Sequence, residues 1–219
     1  MENQTATEYR LRQAAQLRKF RAWRQAEGGI ELPVTLHTFL KPQQQARIAW
    51  LVEGAVGRVL EVGCSWGYVL AQVHSRNPGE HVGLDKTAWN VELARRFCPE
   101  LEFEVGDARD LKLRSKHFDT VLLAEVLEHL LWPDEVKQAI QQAIRVARQR
   151  VLITFPDGEM ETDEATSMKH AWLADREKVA ALSLFLRSFP ENRRQKMFVR
   201  GGFVHIRLDL TQKRRELQE

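Results

Sequence analysis

Five short apolar runs separated by helical stretches constrain this chain more than any other feature. They are Arg58–Val62 (RVLEV), His81–Leu84 (HVGL), Leu101–Val105 (LEFEV), Phe118–Leu123 (FDTVLL) and Arg150–Phe155 (RVLITF). Strands of this length alternating with helices read as βαβ units, laid side by side in a mostly parallel sheet with the helices over its faces. The helical pattern is clearest at Asp134–Arg148. There Val136, Ala139, Ile140, Ala143, Ile144 and Ala147 recur at three- and four-residue steps, behind a Trp132-Pro133 start. Further helices are expected from about Pro42 to Glu53, burying Ala46, Ile48, Ala49, Leu51 and Val52, and from Asp175 to Ser188. Lys196–Leu210, with Gly201-Gly202 inside it, reads as a β-hairpin.

The remaining segments are polar. Residues 1–26 place Tyr9, Leu11, Leu17, Phe20 and Trp23 among Arg10, Arg12, Arg18, Lys19, Arg21 and Arg24, an amphipathic helix pattern closed by Gly28, Gly29 and Pro33. The expected organisation is a helical cap or lid over 1–45 and a core over 46–219. Asp157–Lys169 falls where an α/β enzyme carries an active-site loop. With 33 Lys+Arg against 30 Asp+Glu, the charges are of both signs and interspersed, so charge alone does not imply nucleic acid. Cys64 and Cys98 are the only two cysteines, which argues against a disulfide framework and a cysteine-rich zinc site. No apolar run approaches the roughly 18–20 residues that span a bilayer. A cytoplasmic protein without a membrane partner is expected; oligomeric state leaves no mark on the sequence.

VLEVGCSWGYVLAQV, from Val59 to Val73, carries the most chemistry. A buried strand runs into Gly63, three residues intervene, Gly67 follows, and a helix begins. Glycine suits a turn where a ligand approaches the backbone closely or a positive φ is required. Ser65 stands where a phosphate-binding GxGxxG loop has its middle glycine, and Glu61 at the strand end would repel a pyrophosphate, so a cationic ligand suits this turn better than a dinucleotide. About twenty residues on, Asp85 ends the next strand, a position from which a carboxylate reaches ribose hydroxyls. Asp107 lies just past the third strand, where an acceptor could meet the amine of adenine. The strand ends together define one ligand edge.

VLEVGCSWG, HVGLD, GDA and FDTVLLAEVLEHL, in this order, resemble the class I S-adenosylmethionine-dependent methyltransferases over roughly residues 40 to 160. The resemblance implies a Rossmann-like, seven-stranded, mostly parallel sheet with an antiparallel last strand and helices on both faces. It implies S-adenosylmethionine as cofactor, with Glu61, Gly63 and Gly67 bordering its amino-acid half, Asp85 on the ribose, and Asp107 with Ala108 on the adenine. Cys64, Ser65, Lys86 and Glu125 complete the expected cofactor contacts. Ser65 departs from the family's usual middle glycine.

Methyl transfer from a sulfonium is an in-line displacement that needs alignment and, for a hydroxyl acceptor, removal of a proton. Glu128 and His129 of EVLEHL are the expected catalytic pair, sharing a helix face with Glu125 at i, i+3 and i+4. Small-molecule O- and C-methyltransferases carry a similar element, and the leading expectation is O-methylation of a small molecule. RNA 3′-terminal 2′-O-methyltransferases carry one too, holding a divalent metal. In that reading Glu125, Glu128, His129 and His170 would bind Mg²⁺ or Mn²⁺, RNA would be the partner, and Arg193, Arg194 and Lys196 would contribute. A cofactor-binding protein without turnover is the third reading. Trp132 and Trp172 flank the candidate loops and could line an acceptor pocket.

Overall fold

The computed structural model describes residues 42–130, 133–157, 176–190 and 192–210. The expected N-terminal helix, the Asp157–Lys169 loop beyond Asp157, His170, Trp132 and Trp172 lie outside these described residues.

Chain order is α1 (Pro42–Gly54), β1 (Val59–Val62), α2 (Tyr68–Arg76), β2 (Val82–Asp85), α3 (Ala88–Phe97), β3 (Glu102–Val105), β4 (Phe118–Ala124), a 3-10 turn (Leu127–His129), α4 (Pro133–Val146), β5 (Ala147–Pro156), α5 (Arg176–Arg187), β6 (Asn192–Arg200) and β7 (Phe203–Leu210). The strands form one seven-stranded sheet in the order β3-β2-β1-β4-β5-β7-β6. The first five are parallel, β7 runs antiparallel to β5, and β6 pairs antiparallel with β7. All five apolar runs are therefore strands, and the C-terminal hairpin closes the sheet as expected.

Alternate residues of the central strands feed two cores, which is why their sequences are apolar throughout rather than alternating. Val121, Leu123, Val151, Ile153 and Phe155 pack with Val136, Ala139, Ile140, Ala143 and Ile144 of α4 and Leu182 and Leu186 of α5. Leu122, Ala124 and Leu152 face the opposite side, with Ile48 and Leu51 of α1, Val69, Leu70 and Val73 of α2, and Val91, Leu93 and Ala94 of α3. Helices thus cover both faces.

Two boundaries differ from the sequence pattern. The α4 helix stops at Val146 instead of Arg148, and β5 begins at Ala147 with no connecting residue. Ala147 is buried in either conformation, so its periodicity does not reveal the change of element. In α1 the inward face is Arg47, Ile48 and Leu51, while Ala46 and Ala49 are exposed. The helix is rotated relative to the expected face, and an arginine takes the place of an alanine inside.

Candidate cofactor and acceptor site

The carboxyl ends of β1 and β4 meet at the point where strand order reverses, the place where open α/β sheets take ligands. Gly63 has φ 74, and a Cβ there would sit 2.5 Å from Cγ2 of Val126, so the loops after the two strands are in direct contact. Gly67, at φ 86, precedes the first residue of α2, and a Cβ there would meet Cζ of Phe103 at 2.7 Å. Both glycines are required by backbone conformation and by packing. Ser65 between them also sits in the left-handed region, at φ 50, and so does Glu125 after β4, at φ 56. Non-glycine residues held this way cost about 1–3 kcal/mol each and gather at functional sites.

Glu61 is the penultimate residue of β1, close to this turn, and is 2% exposed. Burial pushes its carboxyl up to about 8, against the pull of the Leu70 amide in the first turn of α2 and of Arg47. Its Oε2 has no hydrogen-bond partner among the described residues. A buried acceptor left open is costly unless something fills it, and here the open atom lies at the ligand edge.

Asp85 ties the next strand end to the loop. Its Oδ2 accepts the Ser65 amide at 2.9 Å, and its Oδ1 accepts the Thr87 amide at 2.8 Å and Asn90 Nδ2 at 3.1 Å. Two carboxylate oxygens offer about four acceptor positions, so one on Oδ2 remains. Asp107 is held more firmly. Arg109 donates Nε to its Oδ1 at 2.9 Å and Nη2 to its Oδ2 at 2.6 Å, the Arg109 amide adds a bond to Oδ1, and Nη1 of the same arginine bonds Glu135 at the start of α4. The Arg109 hydrogen bonds hold the Asp107 carboxyl down at about 2, so it is an acceptor only. Lys86 is exposed beyond β2, Ala108 is half-buried beside Asp107, and Cys64 is buried with its thiol pushed up by burial.

EVLEHL does not form the expected helix. Glu125 sits in a bend, and only Leu127–His129 make a short 3-10 turn. Consequently Glu128 is 1% exposed while His129 is on the surface, so the three residues do not share one helix face. Burial, then the neighbouring Glu125, pushes the Glu128 carboxyl well above the usual range, and its Oε2 has no partner among the described residues. Glu125 instead pairs with Arg47, Oε2 to Nη2 at 2.9 Å. Among the described residues no group of three or more His, Cys, Asp or Glu could hold a metal ion. A guanidinium on Glu125 opposes a dication there, and the three described members do not fit a metal as they stand.

The sequence reading missed Arg47. It is 5% exposed, donates Nη1 to Thr154 Oγ1 at 3.2 Å, and lies over the Phe203 ring at 5.2 Å. Arg109 was missed as well, although its place two residues after Asp107 in GDARD was a usable signal.

This sheet order, with a glycine turn after β1, a carboxyl one residue before the end of β1, one ending β2 and one following β3, is that of the class I methyltransferase fold. A crystal structure of a SAM dependent methyltransferase from Aquifex aeolicus shares it, with a TM-score of 0.57 at 16% identity, covering 82% of this chain and 98% of that one. Residues 59–150 match the methyltransferase domain family, so over that stretch the chain is similar to methyltransferases. The fatty-acid O-methyltransferase of Mycolicibacterium smegmatis is 40% identical over 77 residues, 34% of this chain and 27% of that protein. The ubiquinone biosynthesis O-methyltransferase of Azorhizobium caulinodans is 31% identical over 77 residues, 33% of this chain and 30% of that protein. The chain therefore matches about a third or less of the length of these relatives.

Proposed function

We propose that this protein transfers the methyl group of S-adenosylmethionine to an oxygen of a small-molecule acceptor. The observation that carries the reading is the buried, unpartnered Oε2 of Glu61 at the switch point, flanked by the left-handed turn Gly63–Gly67. A buried carboxyl open on one side fits the ammonium of an amino acid. When bound, the cofactor supplies an electrophilic methyl on a sulfonium.

Glu61 would hold the ammonium end, with Cys64, Ser65, Glu125 and the backbone of Gly63 and Gly67 around it. Asp85 would accept from the ribose with the position left on Oδ2, Lys86 lying beyond it. Asp107, kept ionised, would accept the adenine amine, with Ala108 beside it. Burial and Glu125 push the Glu128 carboxyl well above its usual range. It would orient the acceptor hydroxyl, and once ionised it would take that proton, with His129 at the mouth as the second candidate base. Acceptor choice would belong to residues 1–45, as a cap, and to 157–200, the parts outside or at the margin of the family match.

A second reading is RNA 2′-O-methylation, favoured by Arg194 and Lys196, both exposed on the edge strand β6. It predicts RNA binding that weakens steeply with salt. Cofactor binding without turnover would show as tight binding with no transfer to any acceptor pool. No helix among the described residues is long and apolar enough to cross a membrane.

The test is the melting temperature with S-adenosylhomocysteine, with NADH and with neither. A ligand at 100 times its Kd stabilises the folded form by about 2.7 kcal/mol. A shift with S-adenosylhomocysteine alone is expected, reduced in Asp85→Ala, followed by an acceptor screen with and without Mn²⁺. No shift at saturating S-adenosylhomocysteine would overturn the reading.

A further inference from the structure

Asp85 is held from two sides, and the two sides use its oxygens unequally. Oδ1 accepts the Thr87 amide at 2.8 Å and Asn90 Nδ2 at 3.1 Å, which fills both of its acceptor positions. Among the described residues Oδ2 accepts the Ser65 amide alone, at 2.9 Å, so one position is left there. The oxygen that can meet a ligand is therefore decided on the α3 side of the carboxylate, and the side chain that decides it is Asn90.

Asn90 lies in the first turn of α3 and is 4% exposed. Its amide must turn Nδ2 toward Asp85, because oxygen facing oxygen would repel. That leaves its own Oδ1 buried with no hydrogen-bond partner among the described residues. A buried acceptor left open is a cost. Helix capping does not account for it, since the N-cap is Thr87 and the Asn90 backbone amide already bonds the Thr87 carbonyl at 2.9 Å. Asparagine is also a poorer helix former than Leu93 and Ala94, buried further along the same helix. What its side chain gains in return is the bond to Asp85.

We propose that Asn90 is a positioning residue for the ribose: it saturates Oδ1 of Asp85 and fixes the carboxylate so that Oδ2 accepts a single ribose hydroxyl rather than both. This rests on the S-adenosylmethionine reading above. A carboxylate facing two neighbouring hydroxyls can take one on each oxygen. Here one oxygen is already filled by Thr87 and Asn90, so Asp85 has room for one hydroxyl. Asn90 acts on the ligand only through Asp85, and its effect is therefore confined to the hydroxyl that Asp85 reads.

Calorimetric titration of the full chain with S-adenosylhomocysteine and with its 2′-deoxy and 3′-deoxy analogues tests this. In the wild type, loss of the hydroxyl that Asp85 reads should weaken binding about tenfold or more, the size of a hydrogen bond to a carboxylate. Asp85→Ala should erase that penalty and leave the penalty for the other hydroxyl as it was. Asn90→Leu, which keeps the branched shape but removes the donor, should shrink the same penalty to about threefold or less, with the other again unchanged. Both penalties erased together in Asp85→Ala would mean that the carboxylate takes both hydroxyls. An equal loss for all three ligands in Asn90→Leu would mean a packing role. Either result would overturn the proposal. If the leucine variant fails to fold, Asn90→Ala carries the same prediction, and Asp85→Ala still decides how many hydroxyls are read. Absence of binding by the wild type, with no thermal shift, would instead remove the cofactor reading beneath it.

Discussion

Two neighbouring loops force side chains into a backbone region that favours glycine, and the substitutions there separate strain from function. Ser65 at φ 50 has no steric need for its Cβ. Ser65→Gly should raise stability by about 0.5–1 kcal/mol, because the left-handed conformation costs roughly 1–2 kcal/mol for a non-glycine residue and glycine returns part of that as chain entropy. A shift of the denaturant midpoint at constant slope would measure it. Gly67→Ala should go the other way, by about 1–3 kcal/mol, since it combines φ 86 with a 2.7 Å approach to Phe103; an unchanged midpoint would mean that α2 can shift away from β3. At this scale the sequence was legible where residue type itself is the signal. Glycines at a strand-to-helix turn, and carboxylates at successive strand ends, announce themselves because few other positions need them. Arg47 was not legible. An arginine among the apolar residues of α1 reads as the edge of the polar face, and only the rotation of the helix on the sheet turns it inward. The unpartnered state of Glu61 and Glu128 is likewise a property of what surrounds them in space.

The elements divide by how much of their pattern is local. Helix α4 was readable almost to the residue, because its inward stripe falls at a helical period and nothing else competes. Ile140 at its centre is fully buried, and Ile140→Ala should cost about 2–5 kcal/mol, read by chemical denaturation. The hairpin was found from its glycines, but β6 starts four residues earlier than the pattern suggested, at Asn192. Its polar start hides a two-residue alternation: Gln195 bonds Ser183 of α5 and Met197 packs on the same core, while Arg194 and Lys196 are exposed. The EVLEHL segment misled for the opposite reason. Its spacing is compatible with a helix, but the Glu125 amide bonds the Thr154 carbonyl and its side chain bonds Arg47, so tertiary contacts hold the chain in a bend before a helix can start.

For the molecule as a whole, the carboxyls of the ligand edge give stability an unusual dependence on pH. In the unfolded chain Glu61 ionises near its ordinary 4.5, whereas in the fold it keeps its proton to about 8. Between those values the folded form binds more protons, so the contribution is fully present at low pH and is lost as pH rises toward 8. Glu128 acts in the same direction. Asp107 acts oppositely, its contribution falling away as pH drops from 3.8 toward 2. The ligand-free protein should therefore melt several degrees lower at pH 8 than at pH 5.5, and Glu61→Gln should flatten that slope. A slope equal to the wild type's in the glutamine variant would show that the buried acid is paired in solution. The joint between α4 and β5 has a separate consequence, for how the chain tolerates changes of length. Helix and strand meet at Val146 and Ala147 without a spare residue, so one inserted residue there cannot be taken up by a loop. It would reverse which of Val151, Leu152, Ile153 and Phe155 meet α4 and which meet α1. Natural or engineered variants of this domain should gain and lose residues in other connections while the stretch through this joint keeps its length.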